Sequence, residues 1–245
     1  SQSDYSIFEP YLKKIIEVSK KMYRYRNSDK NLYDQMLDDY EPGMTQEKYD
    51  VFFAALKERL VPLIQKITQA KQKNEAFLHQ EFPIEDQKKF MTQLLEYLHF
   101  DSSWGYQNES EHPFTSWTCE NDCRTTTKYV KNDVVSAVLS TVHEVGHAYY
   151  EHDVDPKYDG MILSEGISSG MHESQSRLCE NYLARTTAFW TYHYPKLQET
   201  FPTQLGNVSF DEFYEAINVA KPSFVRTEAD ELTYPLHVLV RYEIE

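Results

Sequence analysis

Hydrophobic and polar positions recur with the period of an α-helix along most of this 245-residue chain. Apolar side chains fall at three- and four-residue intervals within residues 4–25, 45–67 and 84–99, which predicts three helices that each bury one face. Pro83 occupies the first-turn position that proline favours, and residues 209–212 form a capping box for a later helix. We therefore expect a mainly α-helical protein. The predicted core face of the first helix carries Ile7, Phe8, Tyr11, Leu12, Ile15, Ile16 and Met22.

The chain shows no sign of internal division. It has no low-complexity linker, and its 40% hydrophobic residues can bury a sizeable core over this length. Seven glycines and the lack of a repeat argue against a barrel or a solenoid. We expect residues 1–245 to belong to one domain.

Residues 100–130 depart from the helical pattern. They are polar and aromatic and alternate in places, which predicts a small antiparallel sheet. A β-like run, residues 125–130, leads to Asn132 and Asp133, both good helix N-caps. The apolar stripe that follows predicts a helix packed beside the sheet. That stripe consists of Val135, Val138, Leu139, Val142 and Gly146.

This last helix carries the pattern H-E-x-x-H, from His143 to His147. At i and i+4 the two imidazoles share one face, about 6 Å apart along the axis, so both can reach one metal ion. Glu144 points about 100° away, where it can accept a proton from a water on the metal. Gly146 would cost about 1 kcal/mol relative to alanine in an ordinary helix. Its presence favours a close approach of another backbone or of the metal.

A catalytic metal of this kind needs a third protein ligand. Glu173 is the candidate, because it begins a second apolar-periodic segment after a capping signal at residues 164–165. His172 is the alternative, and since adjacent helical positions diverge by about 100°, only one of the two can face the metal. Spacing favours Glu173.

Four motifs together resemble those of the M32 metallocarboxypeptidases, the family of thermostable carboxypeptidase Taq. Residues 143–147 match its HExxH and residues 172–175 its HESQ, while residues 122–126 match DxRxT. Residues 225–230 match IRxxAD, with valine in place of the leading isoleucine. The resemblance spans essentially the whole chain. It implies an elongated helical gluzincin-type fold, Glu173 as the third ligand, and removal of C-terminal amino acids from peptides.

The resemblance also implies a cofactor and partners. Zinc is the expected metal, with cobalt or manganese as substitutes, and the substrates are peptides with a free C-terminus. A homodimer is also suggested. Chains of this family are about twice as long, and their further motif GxxQDxHW does not occur here. We therefore expect an internal fragment, incomplete at both ends and poorly active as a separate piece.

A carboxypeptidase must hold the substrate's terminal carboxylate, for which a guanidinium is the natural partner. Arg226 and Arg124 are the candidates, and the IRxxAD motif favours Arg226. Arg124 can instead pair with Asp122 or Asp230, either of which can also orient a ligand imidazole. Three further residues can stabilise an oxyanion or simply pack in the core: His112, Tyr234 and His237.

The same candidate residues are also compatible with two other functions. An endopeptidase or dipeptidyl-type peptidase would use the same metal and the same Glu144. An arginine one residue's length beyond the metal would distinguish a carboxypeptidase from these. A metal-retaining but inactive interaction module would keep the ligands without a complete cleft.

Net charge and cysteine content limit the binding partners and the cellular compartment that the sequence predicts. A net charge of −14 argues against nucleic acid and anionic membranes as partners. The sequence has neither a run of 18 apolar residues nor a signal-peptide core. Three cysteines do not make a disulfide framework, so reduced thiols in a cytoplasmic protein are expected.

Overall fold

The computed structural model describes residues 4–27, 29–71, 73–119 and 121–244. Helices dominate it, as the sequence predicts. The helices are α1 (Tyr5–Arg26), α2 (Leu32–Tyr40), α3 (Gln46–Thr68), α4 (Ile84–Tyr97), α5 (Val134–His152), α6 (Ser169–Arg177), α7 (Thr187–Thr200), α8 (Pro202–Leu205), α9 (Phe210–Ile217) and α10 (Tyr234–Ile244). The strands are β1 (Gly105–Glu109), β2 (Thr115–Cys119) and β3 (Asp122–Thr127).

Helix ends follow the local chemistry of the sequence. Helix α4 begins at Ile84, close to the predicted start, but Pro83 is its N-cap and not its first helical residue as predicted. Ser209 and Glu212 form the predicted capping box of α9. Asp133 caps α5, its side chain accepting a hydrogen bond from the backbone N–H of Ser136. The predicted cap at Ser164 is wrong, because that residue ends a 3₁₀ turn and α6 begins only at Ser169.

The sheet lies against α5, but it is mixed and not antiparallel as predicted. Its strand order is β1-β3-β2: β3 runs antiparallel to β2 and parallel to β1. Only two residues separate the end of β2 from the start of β3, a spacing that suits antiparallel and not parallel neighbours. The connection 110–114 can span about 17 Å, more than the roughly 10 Å across two strand spacings, so β3 can sit between the other strands.

The core of the larger unit forms around α5 and the sheet. Val134, Ala137, Val138 and Val145 of α5 are completely buried. Helices α4, α7 and α9 add large side chains to the same cluster, among them Phe90, Trp190, Leu197 and Phe213. Because α5 is anchored along several turns, the side chains near its centre are held rigidly.

The described chain divides into two compact units. One comprises residues up to Glu58 together with 168–170, and the other comprises residues 59–167 and 171 onward. The single-domain expectation stays a prediction. Within the described residues, every helix is too short or too polar to cross a lipid bilayer.

The predicted core face of α1 is exposed. Tyr23 is the buried residue of this helix, and its hydroxyl donates to Asp39 at 2.7 Å. Its partner α2 has nine residues and covers only part of one α1 face. Ile7, Phe8, Tyr11, Ile15 and Met22 are consequently more than half exposed. The helix was predicted correctly, but the burial was not.

Candidate metal centre

Helix α5 presents His143 and His147 on one face, one turn apart. Their ring centroids lie 4.9 Å from each other, with the planes at 79°. Both side chains are largely buried, 14% and 17% exposed. The two imidazoles therefore converge from a rigid element on one point.

Gly146 allows α6 to approach α5 unusually closely. A methyl group at this position would lie 2.8 Å from the Cα of Ser176, 2.9 Å from the carbonyl oxygen of Gln175 and 3.0 Å from Cβ of Cys179. Of the two alternatives for this glycine, the close approach of another backbone is the one observed.

This approach brings Glu173 of α6 to the histidine pair. Its Oε2 lies 3.6 Å from Nε2 of His143 and 3.3 Å from Nε2 of His147. One potential ligand atom from each of the three residues lies within 4.8 Å of the other two. Among the described residues, this is the group of His, Cys, Asp and Glu side chains that could hold a metal ion. Burial opposes ionisation of Glu173, but its contacts with His147, His143 and Arg177 lower its pKa to about 2. The carboxylate is therefore anionic at neutral pH.

The donor set suits a divalent metal. Zinc bonds of about 2.0–2.1 Å in a tetrahedral arrangement place ligand atoms about 3.3 Å apart. The 3.3 and 3.6 Å separations around Glu173 Oε2 match that spacing. Two imidazole nitrogens and one carboxylate leave a fourth position open.

A further carboxylate, Glu180, contacts the far side of His143. Its Oε2 lies 2.8 Å from Nδ1 of the ring and accepts a hydrogen bond from Arg177 at 2.9 Å. Burial opposes ionisation, yet the contacts with His143 and Arg177 keep the pKa of Glu180 below its usual value. Arg177 also donates to Glu173 at 3.0 Å, so one guanidinium links both carboxylates.

His172 is turned to the opposite edge of His147. Its Nδ1 lies 2.6 Å from Nδ1 of His147, and its Nε2 lies 2.5 Å from Oε1 of Glu151. The nitrogen that His147 directs toward Glu173 is Nε2, so His172 contacts the other side of the ring.

Glu144 is buried beside the same helix face, 6% exposed. The hydroxyl of Thr115, on the edge strand β2, donates to Glu144 Oε2 at 2.6 Å. The strand therefore holds the carboxylate in one orientation.

Arg226 and Tyr234 are linked to the candidate metal ligands by contacts with Arg177. The Arg177 guanidinium lies 3.8 Å from the centre of the Tyr234 ring, and Arg226 donates to the Tyr234 hydroxyl at 2.9 Å. Arg226 is therefore connected to Glu173 through two intervening side chains.

Three of the other predicted site residues, Asp122, Arg124 and Asp230, are engaged in contacts of their own. Asp122 accepts two hydrogen bonds of 2.8 Å from Arg124, and this pair is the alternative considered for Arg124. Asp230 accepts hydrogen bonds from the backbone N–H groups of Lys221 and Thr233 and from the Thr233 hydroxyl, and neither aspartate contacts a ligand imidazole. His112 is exposed in the loop before β2. His237 is half-buried on α10.

Several contact residues were not predicted: Thr115, Glu151, Arg177 and Glu180. Helical spacing could have indicated two of them, since Arg177 lies one helical turn after Glu173 and Glu180 lies two turns after it. Thr115 carried none, because its position depends on how the sheet packs on α5.

The fold and this site define the class of H-E-x-x-H metallopeptidases. The family model of the carboxypeptidase Taq (M32) metallopeptidases matches residues 1–245. The chain belongs to this family.

Individual curated relatives support the same family membership. Carboxypeptidase 1 of Bacillus subtilis (strain 168) is 44% identical over 245 residues, covering all of this chain and 49% of its own length. Thermostable carboxypeptidase 1 of Thermus thermophilus is 36% identical and is covered over 50% of its length. The chain thus spans about half the length of these curated relatives.

Solved structures show the same half-length match. The BsuCP crystal structure superposes with a TM-score of 0.95 at 43% identity, over 99% of this chain and 49% of that one. The M32 carboxypeptidase from Deinococcus radiodurans R1 gives 0.90 at 38% identity, over 98% and 48%. The cytoplasmic location and the homodimer stay predictions.

Proposed function

We propose that this chain forms the metal-binding part of a zinc carboxypeptidase that removes C-terminal residues from peptides. The observation that carries the proposal is the position of Glu173 Oε2, within 3.6 Å of the Nε2 atoms of His143 and His147. Those three residues would hold the ion.

The chain's own groups supply the proton transfers. When bound, a divalent ion polarises the scissile carbonyl and lowers the pKa of the attacking water. Glu144 accepts the proton of that water and later gives it to the departing amine. Thr115 holds the Glu144 carboxylate in place by the 2.6 Å hydrogen bond.

Recognition of the substrate terminus is assigned to Arg226. A guanidinium binds a carboxylate through two parallel hydrogen bonds. Arg226 is half-buried, and its hydrogen bond to the Tyr234 hydroxyl positions it. The guanidinium has further N–H donors with which to bind a carboxylate. Arg124 is a weaker candidate, since Asp122 already occupies two of its donors.

The Glu144→Gln variant tests proton transfer separately from metal binding. Glutamine cannot accept the proton, so the protein should bind zinc as before and lose at least about 100-fold in turnover. Glu173→Ala, in contrast, should lose both the metal and the activity. Zinc content and hydrolysis of peptides with free C-termini measure these effects.

The choice of substrate decides between the candidate activities. Amidated peptides should be poor substrates for a carboxypeptidase, because Arg226 has no carboxylate to bind. Equal cleavage of amidated and free peptides would indicate an endopeptidase. Zinc binding without cleavage of either would indicate an inactive metal-binding module.

A further inference from the structure

The two candidate metal-ligand histidines are supported in different ways on their far sides. His143 directs Nδ1 to the carboxylate of Glu180, and Arg177 holds that carboxylate. His147 contacts another imidazole, His172, which in turn contacts Glu151. His143 thus contacts its carboxylate directly, whereas a second imidazole lies between His147 and its carboxylate.

We propose that His172 and Glu151 are positioning residues that hold His147 with its proton on Nδ1 and its Nε2 lone pair free for the metal. This inference rests on the proposed metal site. It concerns the tautomer and the orientation of the ring, and neither residue touches the ion or the substrate.

Proton counting gives the contact its direction. An ionised carboxylate only accepts hydrogen bonds, so Glu151 requires the proton of His172 to be on Nε2. The proposed metal takes the Nε2 lone pair of His147, the atom 3.3 Å from Glu173, so the proton of that ring lies on Nδ1. Nδ1 of His172, 2.6 Å away, then accepts a hydrogen bond from it, while Nε2 of His172 is directed to Glu151.

Packing limits His172 to this orientation. The ring of Tyr150 meets it edge to face, with the centroids 5.1 Å apart. Gly166 leaves room for both rings, since a methyl group there would lie 2.8 Å from Tyr150 and 3.1 Å from His172. The side chains of His172 and Glu151 are 26% and 13% exposed, so water competes little for their hydrogen bond.

The arrangement also locks α6 to α5. Glu151 lies one turn beyond His147 on α5, and His172 bridges the two from α6. Since Glu173 follows His172 directly, the same contact that fixes the tautomer of His147 also fixes the helix that delivers the third ligand.

The test replaces His172 and measures zinc affinity by competition with a chelating dye. His172→Phe keeps a ring beside Tyr150 but removes the acceptor, and the affinity should fall about 10- to 100-fold. His172→Gln keeps an acceptor and a donor on one amide, so it should recover part of that loss. Glu151→Gln should weaken binding less than His172→Phe, because its amide oxygen still accepts but no longer dictates the direction.

Asp153→Asn is the matched control for Glu151→Gln. It removes the same charge two residues away, but the Asp153 side chain is 81% exposed and lies outside the relay, the chain of contacts from His147 through His172 to Glu151. Its zinc affinity should equal that of the unchanged chain. Equal losses for Asp153→Asn and Glu151→Gln would show that only charge matters, which would overturn the proposal.

A second readout does not need the metal. Long-range ¹⁵N spectra of the histidine rings should show the proton of His147 on Nδ1, protected from exchange, and His172→Phe should remove that protection. A chain that binds no zinc would refute the proposed function, while the ¹⁵N spectra would still test the relay. A chain that binds zinc equally well with and without His172, with the same ring tautomer, would overturn the relay alone.

Discussion

Replacing Gly146 with alanine should destabilise both the fold and the metal site. In an ordinary helix this change adds about 1 kcal/mol of stability. Here the new methyl group would meet the α6 backbone at 2.8 and 2.9 Å. Carbon atoms in contact normally lie about 3.5–4.0 Å apart, so α6 must retreat by about 0.7 Å or more.

That displacement is large for a metal centre. Ligand distances tolerate deviations of about 0.2 Å, and Glu173 lies on α6 three residues before the contact at Ser176. Overpacking of this kind costs about 1–3 kcal/mol, which at least cancels the gain in helix propensity of about 1 kcal/mol. We therefore expect Gly146→Ala to lower the free energy of unfolding by up to about 2 kcal/mol. It should also weaken zinc binding at least tenfold.

Urea unfolding of the metal-free chain and zinc competition measure the two effects separately. Gly170→Ala is the control, because its methyl group would meet only the movable end of the Glu41 side chain. That variant should keep the zinc affinity. If Gly146→Ala were as stable as the unchanged chain and bound zinc equally well, the close approach of α6 would not be what positions Glu173.

Three other predictions follow from single contacts. Thr115→Val removes the hydrogen bond to Glu144, so turnover should fall about tenfold or more with zinc retained, whereas Thr118→Val on the same strand should change neither. Arg226→Lys should weaken binding of peptides with free C-termini about tenfold without affecting amidated peptides, and an equal loss for both would refute the assignment. Burial, and to a lesser degree Lys196, lowers the pKa of His193 to about 4, so the unfolded chain binds more protons below about pH 6.5. Stability should be full above that pH and decline by up to about 3 kcal/mol toward pH 4. His193→Phe should flatten this acid slope in urea unfolding, and an unchanged slope would contradict the assignment.

The sequence by itself determined the parts that depend on neighbouring residues. The helix starts at Asp133 and Ser209 could be read directly, because each cap is a contact between residues three positions apart. The pairing of His143 with His147 followed from the helical repeat alone. Gly146 indicated a close approach, although not which backbone approached.

Tertiary structure decided what depends on distant segments. The parallel pairing of β1 with β3 could not be read from alternation, since a strand's pattern does not name its partner. The exposure of the α1 stripe was equally hidden, because periodicity shows which face is apolar and not whether anything covers it. The side chains around the site come from separate elements: Thr115 of β2 donates to Glu144, and His172 of α6 lies between His147 and Glu151. Only the packing of β2 and α6 against α5 brings these groups within hydrogen-bond distance.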